Sequence, residues 1–212
     1  MSSGVMPFVA PPGGRDASKV MIGPGWLYLS ATIPATGQPP TITAPVPPNT
    51  PPAVTGATLV GYTKDGAKFS SGFTLTPIEA DESKAPLWQQ INVETVTIDG
   101  TLMQLFDAAV IASFLPNMTS TTTTTPAGTL YTVGGLVNVP TANLPSVLLI
   151  GQPRPPNDAK YVSAMIYSAM NVDAFVYNLT RKAAAETTFK FEAQPVSSRP
   201  LGDQLGQVFY LT

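Results

Sequence analysis

The fold is decided by residues 87–116, which read LWQQINVETVTIDGTLMQLFDAAVIASFLP. A strand pattern here runs directly into a helix pattern, whereas the rest of the chain reads as strands, turns and proline-rich loops. Residues 90–98 are rich in β-branched side chains, which favour strands. Their apolar positions change from odd to even numbers between Val93 and Val96. We therefore expect a strand that is covered on both faces, or one that is bulged near Glu94.

The second half of this stretch has the apolar spacing of an amphipathic helix. Thr101 and Gln104 match a capping box, in which two residues satisfy each other's free backbone amides, and Pro116 ends the pattern. A lone helix of this length is marginal in water, so it should pack its apolar stripe on a sheet. The sequence thus predicts one helix over about 101–115 that covers one end of a β-sandwich or barrel.

Charged residues are scarce in this chain of 212 residues. They make up 11% of it, with a net charge of −2, against roughly 25% in soluble domains. We expect a protein that is either secreted or covered over much of its surface by copies of itself. Since there is no cationic excess to displace counterions, the charge balance argues against capture of DNA or of an anionic membrane.

The chain contains neither cysteine nor histidine. This composition excludes disulfides, Cys/His zinc sites and histidine-dependent triads, and the sequence motifs of the common enzyme classes are missing too. A hydrolase with paired carboxylates, Asp99 with Glu94 or Glu79 with Asp81, is the remote alternative that remains. We therefore expect no enzymatic activity, no cofactor and no metal site.

A short acidic run follows the strand pattern of residues 69–78. Its carboxylates could ligate calcium, but the full loop pattern of a calcium site is missing, so a solvated acidic turn is favoured. The run consists of Glu79, Asp81 and Glu82.

The N-terminal residues 1–20 carry prolines and glycines that forbid a regular element. They lack the basic and apolar regions of a signal peptide, and the sequence has no apolar run of the ~18 residues that a membrane span needs. We expect a protein that is made in the cytoplasm and not bound to a membrane, with residues 1–20 as an N-terminal arm. The arm is either a disordered tail or a segment that orders on a partner, and Val5 and Phe8 favour the partner.

A long loop over residues 34–54 contains eight prolines and no charge. Such a segment favours extended polyproline II structure, and its length is unusual inside a compact domain. It is either a dangling insertion or a contact surface for a partner. Ile42, Val46 and Val54 favour contact, because proline lowers the entropy cost of ordering.

A hairpin is predicted from residues 58–63 and 69–78, with its turn at residues 64–66, because Asp-Gly is a strong hairpin signal. Alternation along the second strand gives it one polar face. This face consists of Ser70, Thr74 and Thr76.

The remaining sequence adds a Thr-rich linker, flexible or extended, over residues 117–125, and further short strands separated by turns. About nine strands and one helix predict a mainly β fold. We expect an antiparallel β-sandwich or half-barrel flanked by one helix, with long Pro/Thr-rich loops. The arm of residues 1–20 would precede a single domain over residues 21–212.

Three pieces of sequence, in this order, have a familiar arrangement. They are LVGYTKDGAKF at 59–69, INVETVTIDGTL at 91–102 with the helix behind it, and the run 159–193, in which RKAAAE precedes the strand FKFEA. In this ordered pattern residues 20–212 resemble the major tail tube proteins of long-tailed bacteriophages. Gln104 stands where that family usually has an acidic residue.

The resemblance implies a structural virion protein of the phage tail, made in the host cytoplasm. Six copies would form a hexameric ring in which the inner strands close a continuous barrel, and stacked rings would form the tube that conducts the genome during ejection. An acidic lumen would let DNA pass without binding. The implied partners are further copies and the other tail proteins at the tube ends. A different reading is a capsid-decoration or receptor-binding β module on the virion surface.

The resemblance also suggests roles for individual side chains. The candidate lumen-facing residues are Ser70, Thr74, Thr76, Glu79, Asp81 and Glu94. The candidate inter-subunit residues are Val5, Phe8, Ile42, Val46, Val54 and Val96, the last because apolar residues occupy both phases of its strand.

Overall fold

The computed structural model describes residues 25–43, 50–61, 63–78, 88–103, 108–115, 118–124, 126–133, 144–151, 161–174, 176 and 186–210. Within these ranges the protein is mainly β, with antiparallel sheets and one short helix, as the sequence predicts. The elements are β1 Gly25–Leu29, β2 Thr58–Leu59, β3 Thr63–Ile78, β4 Trp88–Leu102, α1 Ala108–Phe114, β5 Met118–Thr124, β6 Ala127–Val133, β7 Val147–Gly151, β8 Val162–Ile166, β9 Ala169–Asn171, β10 Thr187–Ala193 and β11 Gly206–Tyr210. In these parts of the chain, no helix has the length and apolar character that crossing a bilayer requires.

The strands form three antiparallel sheets. A five-stranded sheet has the order β11-β8-β7-β1-β2, a four-stranded sheet has the order β3-β4-β10-β9, and β5 pairs with β6 alone. The first two sheets share one apolar core, to which both contribute every second residue of their strands. They therefore form a sandwich.

The helix α1 contributes two side chains to this core, Val110 and Phe114. The Phe114 ring lies edge-on to Phe189 and Phe191 of β10, with centroid separations of 5.8 and 5.3 Å. All three rings are almost completely buried, and burial of one such side chain stabilises a fold by about 1.5–3 kcal/mol. The helix thus packs on the sheet as the sequence predicts, through Val110 of the predicted stripe and also through Phe114, which the stripe does not include.

The helix is shorter than predicted. It begins at Ala108, not near 101, because β4 continues to Leu102 and pairs there with both of its neighbours. Thr101 lies within this ladder opposite Thr188, so the predicted capping box with Gln104 is wrong. The backbone N–H and C=O groups of this stretch pair with strands on both sides, so they do not need the helix cap that the local sequence predicts.

The predicted hairpin of residues 58–63 and 69–78 is also wrong. β2 pairs with β1, and β3 is one continuous strand of 16 residues. Asp65 and Gly66 form a bulge in it, with φ of 59° and 83°. The sequence signal was misread because a tight turn and a bulge both demand residues that tolerate positive φ.

A second irregularity lies in β4 and explains the change of phase in its sequence. The register passes from Thr74 opposite Val93 to Leu75 opposite Ile91, so Asn92 is the extra residue of a bulge. Of the two predicted alternatives, a bulge near Glu94 is confirmed. Because of this bulge, the Ile91 side chain lies on the same face of β4 as the side chains that form the core.

The Thr-rich stretch forms a strand over its described residues, 118–124. Met118–Thr124 form β5, which pairs with β6 in full register from Met118 opposite Val133 to Thr124 opposite Ala127. The extended alternative for this Thr-rich stretch is therefore confirmed for the residues in β5. β-Branched threonine favours this conformation.

Gly100 is predicted to be a sensitive position of the sandwich. A Cβ at Gly100 would lie 2.8 Å from Cζ of Phe189 and 3.1 Å from the Gly66 carbonyl oxygen. The Phe189 ring is held by two other rings and has no room to move, so we expect Gly100→Ala to lower the free energy of unfolding by about 1–3 kcal/mol. Denaturant unfolding of the purified variant measures this.

Gly72→Ala is the matched control, since it lies in the same sheet and its Cβ would meet nothing nearer than Thr95 Oγ1 at 4.0 Å. We expect it to change stability by less than ~0.5 kcal/mol. Equal effects of the two substitutions would show that Gly100 is not sterically constrained.

Candidate assembly surface

The most unusual feature of the molecule is the outer half of the β3–β4 hairpin, residues 71–78 and 88–95, which we call the hairpin arm. Every side chain described within it is exposed, over residues 71–77 and 90–95. In the inner half of the same two strands, one face packs into the sandwich core. The arm therefore leaves the body as a two-stranded ribbon, and such a ribbon is marginally stable by itself.

The arm exposes apolar side chains on both of its faces. One face continues the core-facing side of the sheet and carries Phe73, Leu75 and Ile91, which are 62%, 42% and 59% exposed. The other face carries Val93, 49% exposed, opposite Thr74. We call the face with Phe73 the apolar face of the arm. Contiguous exposed apolar surface of this kind marks a binding site.

A groove of about 430 Å³ lies where the apolar face of the arm meets the body. Phe69, Glu94 and Val96 line it on the arm side, and the segment that leads into β11 lines it on the other. Val208 of β11 stands in this groove with 59% of its surface exposed. The groove, which also contains the polar side chains of Glu94, Gln204 and Gln207, therefore separates the apolar face of the arm from the edge of the five-stranded sheet.

The four-stranded sheet has one long open edge, at β3, whereas the three-residue edge at β9 is partly occupied because the Ala169 N–H donates to the Pro145 carbonyl. β3 pairs only with β4, and β9 pairs only with β10, among the strands that the structure describes. β3 offers an unpaired edge along its 16 residues. Natural proteins normally shorten, charge or cover such an edge, because it is a template for another chain.

The outer side of the five-stranded sheet is covered, in contrast, by the proline-rich strap, residues 34–43 and 50–54. Ile42 and Val54 form an antiparallel bridge and pack on a second apolar cluster on this side of the sheet. The Tyr28 hydroxyl donates a hydrogen bond to the Pro52 carbonyl at 2.6 Å, and burial raises the pKa of Tyr28 to about 12. The described part of this loop is therefore not a dangling insertion.

A polar cluster fastens the C-terminal segment and the strap to the same sheet. Arg199 forms a 2.7 Å ion pair with Asp203, donates to the Pro34 carbonyl, and lies 4.0 Å from the Tyr167 ring centroid. Tyr167 donates its hydroxyl to Asp203 at 2.7 Å. This hydrogen bond and the Arg199 guanidinium lower the pKa of Asp203, while burial and Asp203 raise the pKa of Tyr167 to about 12.

The predicted lumen-facing residues do not share one face. Ser70, Thr74 and Thr76 lie on the polar side of β3, away from the core. Glu94 lies opposite Phe73, on the apolar face of the arm and beside the groove. Glu79 and Asp81 fall outside the described residues.

The predicted inter-subunit residues are also divided. Val96 is 7% exposed and belongs to the core of its own chain, so little of it is left for a neighbour. Ile42 and Val54 belong to the strap and are half-buried against the five-stranded sheet. Val5, Phe8 and Val46 fall outside the described residues. The apolar face of the arm was not predicted from the sequence. Phe73, Leu75 and Ile91 lie in strand patterns, and a strand pattern does not show whether a side chain is exposed.

The one carboxylate pair that falls within the described chain is not brought together. Asp99 and Glu94 stand five residues apart on β4 with no bulge between them, so their side chains project from opposite faces. In the described part of the chain, no group of three or more metal-ligating side chains comes together either.

Comparison with known proteins adds no relative: no protein-family model matches the chain, and no curated protein is significantly similar to it.

The polar cluster gives a pH-dependent prediction. Because the pKa of Asp203 is lower in the folded chain than its ordinary value of 3.8, its charged form stabilises the fold above that value. This stability is lost as the pH falls through the folded pKa. We expect Asp203→Asn to be less stable than the wild type at pH 7, and the two proteins to converge on acidification below roughly pH 4.

Thermal unfolding followed by circular dichroism at a series of pH values measures this difference. A stability gap that stays constant from pH 7 down to pH 3 would show that the carboxylate charge is not what fastens the segment.

Proposed function

We propose that the chain is a self-assembling structural protein, the subunit of a tail tube like that of long-tailed bacteriophages. The observation that carries this proposal is the hairpin arm, whose apolar face is exposed at Phe73, Leu75 and Ile91. Covering these side chains requires no change in the fold of one copy. Each would stabilise the assembly by roughly 25 cal/mol for every Å² of apolar surface removed from water. Further copies of the chain are the proposed cover.

The two edges of the four-stranded sheet suggest how the copies would join. Successive strands in the order β3-β4-β10-β9 are antiparallel, so β3 and β9 run in opposite directions. An even number of strands lets β9 of one copy pair with β3 of the next while the alternation continues. Repeated head to tail around an axis, this contact would close a ring in which β3 is no longer an open edge. In a single copy the Ala169 N–H of β9 donates to the Pro145 carbonyl, so the new pairing would have to replace that bond or use the rest of the strand.

The size of such a ring agrees with a conduit for DNA. With six copies, as the family resemblance implies, the barrel has roughly twenty-four strands, and at ~4.8 Å per strand its circumference is ~115 Å. The diameter is then about 37 Å before strand tilt widens it. A DNA double helix fits within such a bore after side chains are added to the wall.

The biological role follows from this assembly. The chain would act in the virion as part of the tail, made in the host cytoplasm, without catalysis and without a cofactor. Its partners would be further copies in the same ring, copies in stacked rings, and the tail proteins at the tube ends. DNA would pass through during genome ejection without sequence-specific binding. The low charge content of the chain fits surfaces that are buried between subunits.

Electron microscopy of the purified protein tests the proposal. We expect hollow tubes or six-fold rings in negative stain at high protein concentration. Compact trimers or isolated monomers would contradict it, and trimers would favour the receptor-binding or capsid-decoration alternative.

Phe73→Asp tests the role of the arm. Because Phe73 is exposed in one copy, we expect this variant to fold with unchanged thermal stability and to lose assembly. Thr74→Asp is the matched control, since it adds the same charge one residue away on the other face. Sedimentation velocity measures both. Normal assembly of Phe73→Asp, or equal loss in the two variants, would contradict a specific role for the apolar face.

A further inference from the structure

The strands β5 and β6 form a ribbon that no other described strand joins. We call it the threonine ribbon, residues 118–124 and 127–133. The Thr123 hydroxyl closes its turn by donating to the Pro126 carbonyl at 2.9 Å. None of its described side chains belongs to either apolar cluster of the sandwich, and Leu130 is 54% exposed. Because a two-stranded ribbon is marginally stable by itself, it needs a further strand or layer.

The free edge of β5 is not protected against pairing with another chain. Natural edge strands often carry lysine or proline, which block such pairing. Residues 118–124 contain neither a charge nor a proline, and five of the seven are threonine. β-Branched threonine favours the extended conformation that pairing requires. β6 is the weaker donor, since Gly128 lies within it. Of the two strands, β5 is therefore the one suited to a further pairing.

The open edge of β3 has an unprotected part of matching length. One end of the strand carries Lys64 and Lys68, and Pro77 stands near the other end. The eight residues between them, 69–76, carry no charge and no proline. β5 has seven residues, whereas β9 has only three. β9 of a neighbouring copy can therefore cover only a small part of this edge, and β5 can cover most of it.

The helix α1 places the threonine ribbon near β9. The buried Asn171 side chain of β9 donates to the carbonyl of Phe114, the last residue of α1, at 3.1 Å. Met118 follows Phe114 by four residues, and an extended chain spans at most ~3.6 Å per residue, so β5 begins within about 14 Å of this contact. β9 and β3 are the two outer strands of the four-stranded sheet. A copy whose β3 approaches β9 of its neighbour therefore comes within reach of β5 of that neighbour.

The side chains of the two strands are chemically compatible. On its polar side β3 carries Ser70, Thr74 and Thr76. Successive side chains of a strand project from opposite faces, so β5 presents threonines on both of its faces. Threonine and serine on neighbouring strands form stabilising cross-strand hydrogen bonds. Pairs of this kind are therefore available on the polar side of β3 whichever face of β5 lies there.

We propose that the threonine ribbon of one copy extends the four-stranded sheet of the next copy, by pairing of β5 with residues 69–76 of β3. This inference rests on the proposed function and names the segment of the chain that donates the strand. The ribbon gains the third strand that it lacks, and β3 loses its unprotected edge. β5 and β9 of one copy would then share the long edge of β3 in the next.

Crosslinking between introduced thiols tests this pairing, because the sequence contains no cysteine and each new thiol is unique. One variant carries Thr74→Cys in β3, and a second carries Thr122→Cys in β5. Both positions are exposed in a single copy. The two variants are mixed before assembly, imaged to establish that tubes have formed, and treated with a short bis-maleimide. Denaturing gel electrophoresis then measures the crosslinked dimer.

We expect the mixture to give the crosslinked dimer, and each variant assembled alone to lose it. A parallel mixture uses Thr121→Cys, which samples the opposite face of β5. Thr41→Cys is the matched control: it is also an exposed threonine, but it lies in the strap on the outer side of the five-stranded sheet. Its mixture with Thr74→Cys should give no dimer. Thr76→Cys, on the same face of β3, takes the place of Thr74→Cys if that variant does not assemble.

Tubes in which neither β5 position gives more dimer than the Thr41→Cys control would overturn the inference and leave the proposed function standing. A dimer of Thr74→Cys alone would also overturn it, because two β3 edges would then meet each other. A wild type that forms neither tubes nor rings would remove the proposed function, and the inference with it.

Discussion

The structure depends on one antiparallel ladder, in which β3 pairs with β4 from Thr63 opposite Leu102 to Ile78 opposite Trp88. Its inner half is stabilised by burial, because Ile98 and Leu102 lie in the core beside Phe189 and Phe191. Its outer half is exposed on both faces over the described side chains of residues 71–77 and 90–95. One ladder thus holds the sandwich together and also carries the surface that a single copy leaves uncovered.

The two bulges in this ladder are what make the double role possible. Each inserts residues into one strand, changes the local twist and re-aims the side chains beyond it. The bulge at Asn92 returns Ile91 to the side of Phe73 and Leu75, which creates one apolar face on the arm. The bulge at Asp65 and Gly66 lies beside Gly100, where the backbone approaches closely enough to require glycine. One bulge therefore shapes the arm, and the other shapes the core.

The sequence predicts much of this fold, because alternation of apolar residues is a local signal. The pattern of Phe189, Phe191 and Ala193 identified β10, and the phase change near Glu94 indicated a bulge in β4 as one of two alternatives. Prediction from sequence failed where one local motif is compatible with two different structures. Asp65-Gly66 suits a turn and a bulge equally, and Thr101 suits a helix cap and a strand equally. Only long-range pairing decided between them.

The candidate surface was predictable in part, for a related reason. The sequence placed Ser70, Thr74 and Thr76 on a polar face, and the structure has them there. It assigned Val96 to a subunit contact, because an apolar residue in a strand looks the same whether its own chain or a neighbour covers it. Val96 is covered by its own chain, whereas Phe73 and Ile91 are not. Exposure is a property of the tertiary structure, and no local pattern encodes it.

The account holds that β3 finds its second neighbour in another copy of the chain, and amide hydrogen exchange at β3 tests this most directly. In an edge strand about half of the backbone amides point away from the single neighbour and exchange with water. The comparison is between assembled wild-type protein and the unassembled Phe73→Asp variant, read by mass spectrometry over residues 63–78. The account predicts that the outward amides of β3 exchange at least tenfold more slowly in the assembly. Exchange at the same rate in both states, with protection appearing elsewhere on the chain, would contradict it.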